Sequence, residues 1–274
     1  MLVTLKEILP EARKKGIAIG AFNAANYETA LAIVRAAEAE ESPVILQIFQ
    51  RMFANGKANA IAGLLIRLAQ QCPQKVALHL DHGADLEQVK NALAWGYTST
   101  MLDGSRLPFD ENAAITAEAA RLAHAAGATC EGEIGHVAMG DETALTVPEE
   151  ALKFVQLTQV DALAVSIGTS HGYYKATPKL DIQRCAEIGE ALPDLPLVLH
   201  GGTGTPLEDI QKVIPKGIAK INIATEFQHT FLKTIHADLN AADGAFTPVD
   251  KFMDKAIDAC TEHARRLIRA FALK

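Results

Sequence analysis

Residues 197–226 read LVLHGGTGTPLEDIQKVIPKGIAKINIATE, and this segment decides the fold. An apolar run at Leu197–Leu199 breaks into the turn His200-Gly201-Gly202-Thr203-Gly204. Helical spacing follows over Pro206–Val213, and a second β-rich run covers Ala219–Ile223. Strand, glycine turn, helix and strand in that order make a βα unit leading into the next strand of a parallel sheet. The same alternation extends back to the start of the chain. Further strands are expected at Ile17–Phe22, Val44–Ile48, Val76–Leu80, Ser99–Leu102, Thr129–Glu133 and Asp161–Ser166. Between them lie Ala- and Leu-rich helical stretches such as Glu28–Glu40, Leu86–Ala94 and Ala113–Ala126. The strands are mostly continuous apolar runs, as in a sheet covered by helices. Eight such units in 274 residues predict a closed α/β barrel of the TIM (β/α)8 type rather than an open doubly wound sheet. No Gly-x-Gly-x-x-Gly follows the first strand, so a dinucleotide fold is not indicated. The tail after Thr225 shows no strand and is expected to form terminal helices packed on the barrel. Residues 1–274 read as one domain.

Composition narrows the function. Hydrophobic residues make up 49% and charged residues 22%, which is globular rather than disordered. The net charge of -7 argues against nucleic-acid or membrane-surface binding, both of which need a basic face. A small anionic substrate stays open, because an anion needs only a local nest of N–H groups or a helix N-terminus. No apolar run reaches the roughly 20 residues of a membrane span. The start, MLVTLKEILPEARKKG, reads as a short amphipathic helix with Leu5, Ile8 and Leu9 on one side, not as a signal peptide. Cys72, Cys130, Cys185 and Cys260 form no CxxC pair and read as reduced structural thiols of a cytoplasmic protein.

Polar residues collect where strands end. They are Asp81-His82 after strand three, Asp103-Gly104-Ser105 after strand four, and Glu131 and Glu133 on strand five. Gly168-Thr169-Ser170-His171-Gly172 follows strand six, His200-Gly201-Gly202-Thr203 strand seven, and Asn222 with Thr225 ends strand eight. In a barrel the C-terminal strand ends converge on one mouth, where active sites sit. One histidine at a strand end is usually a hydrogen-bonded structural residue. His82, His171 and His200 at three strand ends of one barrel instead suit a catalytic zinc held by three imidazoles with an open position. Asp81 beside His82 could orient that ligand or act as a general base. Asp103 and Glu133 could ligate the metal or fix the histidines. Glu131 lies deeper, as an internal ion pair or a functional group. His79 reads as a core histidine and His136 as a loop residue near the mouth. His124, His229, His236 and His263 fall in helical stretches. The glycines after strand seven, with Asn222 and Thr225, occupy the usual barrel phosphate site.

At these residues the sequence resembles the class II, zinc-dependent ketose-bisphosphate aldolases. The segments are HLDHG (79–83), MLDGS (101–105), EGEIG (131–135), SIGTSHGYY (166–174), LVLHGGTGTP (197–206) and KINIATE (220–226), the last closest to the tagatose-bisphosphate branch. The resemblance implies that His82, His171 and His200 hold Zn2+, with Asp103 and Glu133 near the metal in an alternative position. It implies that Asp81 takes the C4 hydroxyl proton of a tagatose or fructose 1,6-bisphosphate-like ketose, so that the C3–C4 bond breaks to dihydroxyacetone phosphate and an aldehyde. Gly172, Gly201, Gly202, Thr203, Asn222, Ala224 and Thr225 correspond to positions that bind the phosphate and ketose end. A monovalent cation (Na+ or K+) and a homodimer or homotetramer are also implied.

The chain departs from the family pattern twice. After strand two the family has a small Ser/Thr-Gly stretch, and here stand Ile48-Phe49-Gln50-Arg51. The loop after strand five reads Ala138-Met139-Gly140-Asp141-Glu142, so no mobile acid can be assigned there. The first departure points to a ketose 1-phosphate with a different distal group, with Arg51 contacting its anion. The second motivates a non-catalytic sugar-phosphate-binding barrel. A third reading makes Lys220, which shares the inward parity of Asn222, a Schiff-base lysine. A zinc hydrolase would need the His-x-His of strand one, which is missing.

Overall fold

The structure is a computed structural model and describes residues 1–137, 144–170, 172 and 178–274. Its eight parallel strands are β1 (Ile19–Asn23), β2 (Val44–Phe49), β3 (Val76–Gly83), β4 (Ser99–Leu102), β5 (Thr129–Ile134), β6 (Ala162–Val165), β7 (Leu197–Leu199) and β8 (Ile218–Ile223). They pair in sequence order, and β8 closes on β1 through Ile19↔Lys220 and Ala21↔Asn222. The expected strands are present, with ends moved by up to three residues. β1 starts two residues later than Ile17, and β3 runs on through Gly83.

Helices surround the barrel: α1 (Leu9–Lys15), α2 (Tyr27–Ala39), α3 (Arg51–Ala54), α4 (Ala58–Gln71), α5 (Leu86–Ala94), α6 (Phe109–Ala125), α7 (Pro148–Thr158), α8 (Ile182–Ala191), α9 (Leu207–Val213), α10 (Thr225–Ala242) and α11 (Val249–Phe271). Local chemistry sets their starts. Asn26, Asp85 and Asp181 accept bonds from the Thr29, Gln88 and Arg184 N–H groups, satisfying orphan donors at the starts of α2, α5 and α8. The tail after Thr225 is helical, as expected.

Two apolar layers hold this together. Phe22, Leu46, Leu78, Cys130, Leu163 and Ile221 point outward under the helices. Ala21, Ile45, Ala77, Ala162, Ala164 and Val198 form a second cluster with Leu5, Ile8, Leu9 and Ala12 of the N-terminal segment. That segment thereby seals the bottom of the barrel, which is why its apolar side needed Leu5, Ile8 and Leu9. One residue pair further along the strands, the interior turns polar: Asn23, Gln47, His79, Asp81, Glu131, Glu133, Lys220 and Asn222 are all buried. All four cysteines are buried and free. Among the described residues no helix is long and apolar enough to cross a membrane.

Candidate active site

Strand alternation would send Asp81 into the barrel and His82 out of it. A register shift between Leu80 and Gly83 on the β4 side overrides this, and His82 takes a left-handed φ of 53°. A non-glycine residue held there costs on the order of 1–3 kcal/mol, a strain characteristic of functional sites. Both side chains are thereby buried at the mouth. Gly83 is required at this bulge, because a Cβ there would meet the Met101 carbonyl oxygen.

His82 is oriented by Asp103, whose Oδ2 lies 2.7 Å from Nδ1. Asp103 is in turn held by the Ser105 N–H and hydroxyl through Oδ1, at 3.1 and 2.7 Å. Burial opposes ionisation of Asp103, but these bonds and the nearby imidazole keep its carboxyl below the ordinary range. Ser105 Oγ also lies 3.0 Å from Nδ1 of His136, which brings that loop histidine to the same rim.

His200 stands across the mouth from His82, ring centroids 4.6 Å apart. Its Nε2 is 2.9 Å from Glu131 Oε1, and its Nδ1 is 3.3 Å from Glu133 Oε2. Glu133 Oε2 is also 3.8 Å from His82 Nδ1. One ligand atom each of His82, Glu133 and His200 lies within 4.8 Å of the others, and all three residues are buried. Burial disfavours the charged imidazole of His200, yet Glu131 and Glu133 overcome this and push its pKa up to about 10. Among the described residues, the buried acids Asp81, Glu131 and Glu133 face one buried ammonium, Lys220, and the His200 imidazole. A pocket lined by buried carboxylate oxygen and by imidazole nitrogen whose proton a cation can replace fits a divalent transition metal such as zinc.

Asp81 is held from two sides. The Asn23 amide donates to Oδ2 at 2.7 Å and the Asn222 amide to Oδ1 at 3.1 Å. Asn23 is itself fixed by the Gln47 amide, which donates to its Oδ1 at 2.8 Å. Burial pushes the Asp81 carboxyl up. The neighbouring His82, His200 and Lys220 charges and the Asn23 amide outweigh burial and hold it below its usual value. Asn23 and Gln47 were not singled out from sequence. Their signal was there, since each is a polar residue at an inward position of an otherwise apolar strand.

The loop after β7 passes close to the segment after β6. Gly201 has a φ of 68°, and a Cβ there would collide with the Ser170 carbonyl. A Cβ on Gly202 would meet the Asn222 carbonyl at 2.9 Å. Thr203 is buried and its Oγ accepts from the Glu226 N–H at 3.4 Å, tying this loop to the first turn of α10. Ala224 and Thr225 are half-buried at the start of α10, which carries no side-chain cap. Gly172, with a φ of 85°, is half-buried nearby in sequence. His171 and the segment Ala138–Glu142 lie outside the described residues. Arg51 opens α3, exposed, its guanidinium carbon 5.5 Å from the Phe49 ring centre, and Phe49 packs at 6.0 Å from the His82 ring.

The other histidines follow the sequence reading. His79 is fully buried, with Nδ1 2.8 Å from Ser99 Oγ. His124 pairs with Asp161 at 2.8 Å on the helical surface. Lys220 points into the barrel and is committed to Glu131 at 2.9 Å and to Asn222 at 2.7 Å.

A closed parallel barrel with imidazoles and carboxylates gathered at its C-terminal mouth defines a TIM-barrel enzyme with a candidate metal centre. Residues 3–274 match the family model of class-II fructose-bisphosphate aldolase, and the chain belongs to that family. It is an aldolase, a carbon–carbon lyase. A fructose-bisphosphate aldolase of Staphylococcus epidermidis is 39% identical over 281 residues, covering 98% of this chain and 97% of the relative. A probable fructose-bisphosphate aldolase of Bacillus subtilis is 38% identical over 279 residues, with the same coverage. The crystal structure of the YdjI aldolase from Escherichia coli superposes with a TM-score of 0.88 at 32% identity, over 99% of this chain and 97% of that one.

Proposed function

We propose that this chain, as one catalytic domain, cleaves and condenses a ketose 1,6-bisphosphate of the tagatose or fructose type, giving dihydroxyacetone phosphate and an aldehyde. The observation that carries the reading is the buried approach of His82, Glu133 and His200 beside an Asp81 clamped by two amides. His82 and His200, with His171 completing the set, are assigned to Zn2+, and Asp103 and Glu133 to its alternative position. Bound there, zinc supplies a Lewis acid that polarises the ketose carbonyl and offsets the negative charge developing next to it.

The protein's own groups do the rest. Asn23 and Asn222 each use one lone pair of the Asp81 carboxylate and leave the others to accept the C4 hydroxyl proton. As that proton moves to Asp81, the C4 oxygen becomes the aldehyde oxygen and the C3–C4 bond breaks. Its electron pair enters the ketose fragment, which leaves as dihydroxyacetone phosphate once protonated at C3. Gly172, Gly201, Gly202, Thr203, Asn222, Ala224 and Thr225 are assigned to the phosphate and ketose end. The start of α10 supports this, since its N-cap residue Ala224 brings no capping side chain and the helix dipole favours an anion there. A monovalent cation (Na+ or K+) beside the phosphate and a homodimeric or homotetrameric assembly complete the proposal.

One geometric fact favours a second substrate. Phe49 puts a ring beside His82, and Arg51 puts a cation over that ring, where the family has small residues. A ketose 1-phosphate bearing a different distal anion would meet Arg51 there. A coupled assay with both ketose 1,6-bisphosphates and their 1-phosphates, with and without EDTA, tests both readings. Cleavage lost to chelation and restored by zinc supports the metal aldolase, and a strong preference for a bisphosphate removes the second reading. Zinc-loaded protein that cleaves none of these substrates overturns the proposed substrate.

A further inference from the structure

Among the described residues, Lys220 is the buried lysine, and the proposed reaction leaves it unused. It is fully buried on β8, and burying an ammonium is expensive unless it is paired and hydrogen-bonded. Its two partners lead in opposite directions. Nζ donates to Glu131 Oε2 at 2.9 Å, and the other oxygen of the same carboxylate holds His200 Nε2 at 2.9 Å. Nζ also donates to Asn222 Oδ1 at 2.7 Å, and the amide nitrogen of the same side chain holds Asp81 Oδ1 at 3.1 Å. A continuous buried chain therefore runs from His200 through Glu131, Lys220 and Asn222 to Asp81.

Both ends of this chain need a defined orientation. His200 donates from Nε2 to Glu131 and faces Glu133 with Nδ1, so that when a metal takes the place of the Nδ1 proton the remaining proton stays on Nε2 and the metal-binding tautomer is fixed. An Asn222 whose oxygen is held by an ammonium must present its NH2 group to Asp81. Flipped by 180°, it would place its carbonyl oxygen against the carboxylate. A lysine satisfies both requirements because an ammonium only donates. A neutral amide at position 220 could not exclude the flip.

We propose that Lys220 is a positioning residue that locks the His200 tautomer through Glu131 and the Asn222 amide at Asp81, so that one ammonium sets both the metal-binding and the proton-accepting halves of the site. This inference rests on the aldolase reading for its catalytic half and on geometry alone for its metal half.

The test uses Lys220→Met, Glu131→Gln, Asn222→Ala and the charge-balanced double variant Lys220→Met/Glu131→Met. Zinc affinity is read by competition with a chromogenic chelator, separately from kcat and KM for the best substrate of the wild-type protein. Loss of an outer-shell partner of a metal ligand weakens metal binding about 10- to 100-fold. That loss is expected for Lys220→Met, Glu131→Gln and the double variant. Asn222→Ala should bind zinc as the wild type does. Lys220→Met and Asn222→Ala should each lower kcat about 100-fold or more, a loss typical of disturbing a general base. Introducing Lys220→Met into the Asn222→Ala background should then weaken zinc without a comparable further loss of kcat. If Lys220→Met does not fold, the double variant, which leaves no unpaired buried charge, carries the test. Wild-type zinc affinity and kcat in any folded variant lacking Lys220 overturn the inference. A wild-type protein with no chelator-sensitive cleavage overturns the aldolase reading instead, and the zinc comparison still decides the metal half.

Discussion

At the residue scale, Asp81 and His79 share a strand and an interior yet differ in charge, and the difference comes from their neighbours. Asp81 is surrounded by donors and cations and stays ionised below its usual range. Asp81→Asn should fold, because the new amide still offers an oxygen to Asn23 or Asn222. It should lower kcat by about 10²–10⁴ while KM moves much less, as expected for removal of a general base. Steady-state kinetics checks this, and a kcat within about tenfold of wild type would remove Asp81 from the role. His79 meets burial first, then the Lys220 charge, and its pKa falls to about 3 despite Glu131 and Asp81. The unfolded chain takes up that proton near pH 6.5, whereas the folded chain refuses it until about pH 3. Between these values the unfolded state binds more protons, so stability rises with pH by up to about 1.4 kcal/mol per unit from this group. His79→Asn should remove that slope. Denaturant midpoints from pH 4 to 7 should then flatten relative to wild type, and parallel curves would contradict the assignment.

At the scale of elements, the barrel was largely legible because strand and helix periods alternate so regularly. Every strand proposed from an apolar run is present, and the stretch 197–226 folds as read. The site was legible only in part. Strand-end position picked out His82, His200, Asp81, Asp103 and Glu133 as candidates, and the structure gathers them at one mouth, where chemistry collects in this architecture. Sequence alone could not show that β3 carries a register shift and that His82 adopts a positive φ, since both arise from pairing with β4. Nor could it separate Glu131 from Glu133. They share a parity, and only the third dimension puts Lys220 on one and His82 on the other. Asn23 and Gln47 were passed over because a polar residue inside a strand carries no chemistry until its partner is known. The β7 turn offers the test at this scale. Gly201→Ala asks an alanine to hold a φ of 68° and to place a Cβ against the Ser170 carbonyl. The loop must shift, at a cost of about 1–3 kcal/mol. Because the same loop is tied to α10 by Thr203, KM for the phosphorylated substrate should rise along with the loss of stability. A thermal midpoint and KM both equal to wild type would show the turn to be adaptable.

At the scale of the whole molecule, the interior is divided along the barrel axis. The lower half is closed by small apolar side chains and by the N-terminal segment, and it supplies hydrophobic stability. The upper half concentrates buried acids around the imidazoles of His82 and His200, and these acids need positive charge beside them, either protons on the imidazoles or a metal that replaces those protons. Folding and metal binding are therefore linked. A ligand that binds only the folded chain stabilises it by RT ln(1 + [L]/Kd), about 4 kcal/mol at a thousandfold excess over Kd. In a chain of this size each kcal/mol moves the thermal midpoint by about 2–4 °C. Stripping the protein with EDTA should lower its midpoint by roughly 8–15 °C, and added zinc should restore it. His200→Ala should abolish most of the zinc-dependent shift, because it removes one imidazole from the candidate metal cluster. An Arg51→Ala variant, placed at the rim and outside the cluster, should keep the full shift while changing the ranking of bisphosphate and 1-phosphate substrates. Equal zinc shifts in the wild type and His200→Ala would mean that the metal binds elsewhere, and that Lys220 and protonated imidazoles alone balance the acids at the mouth.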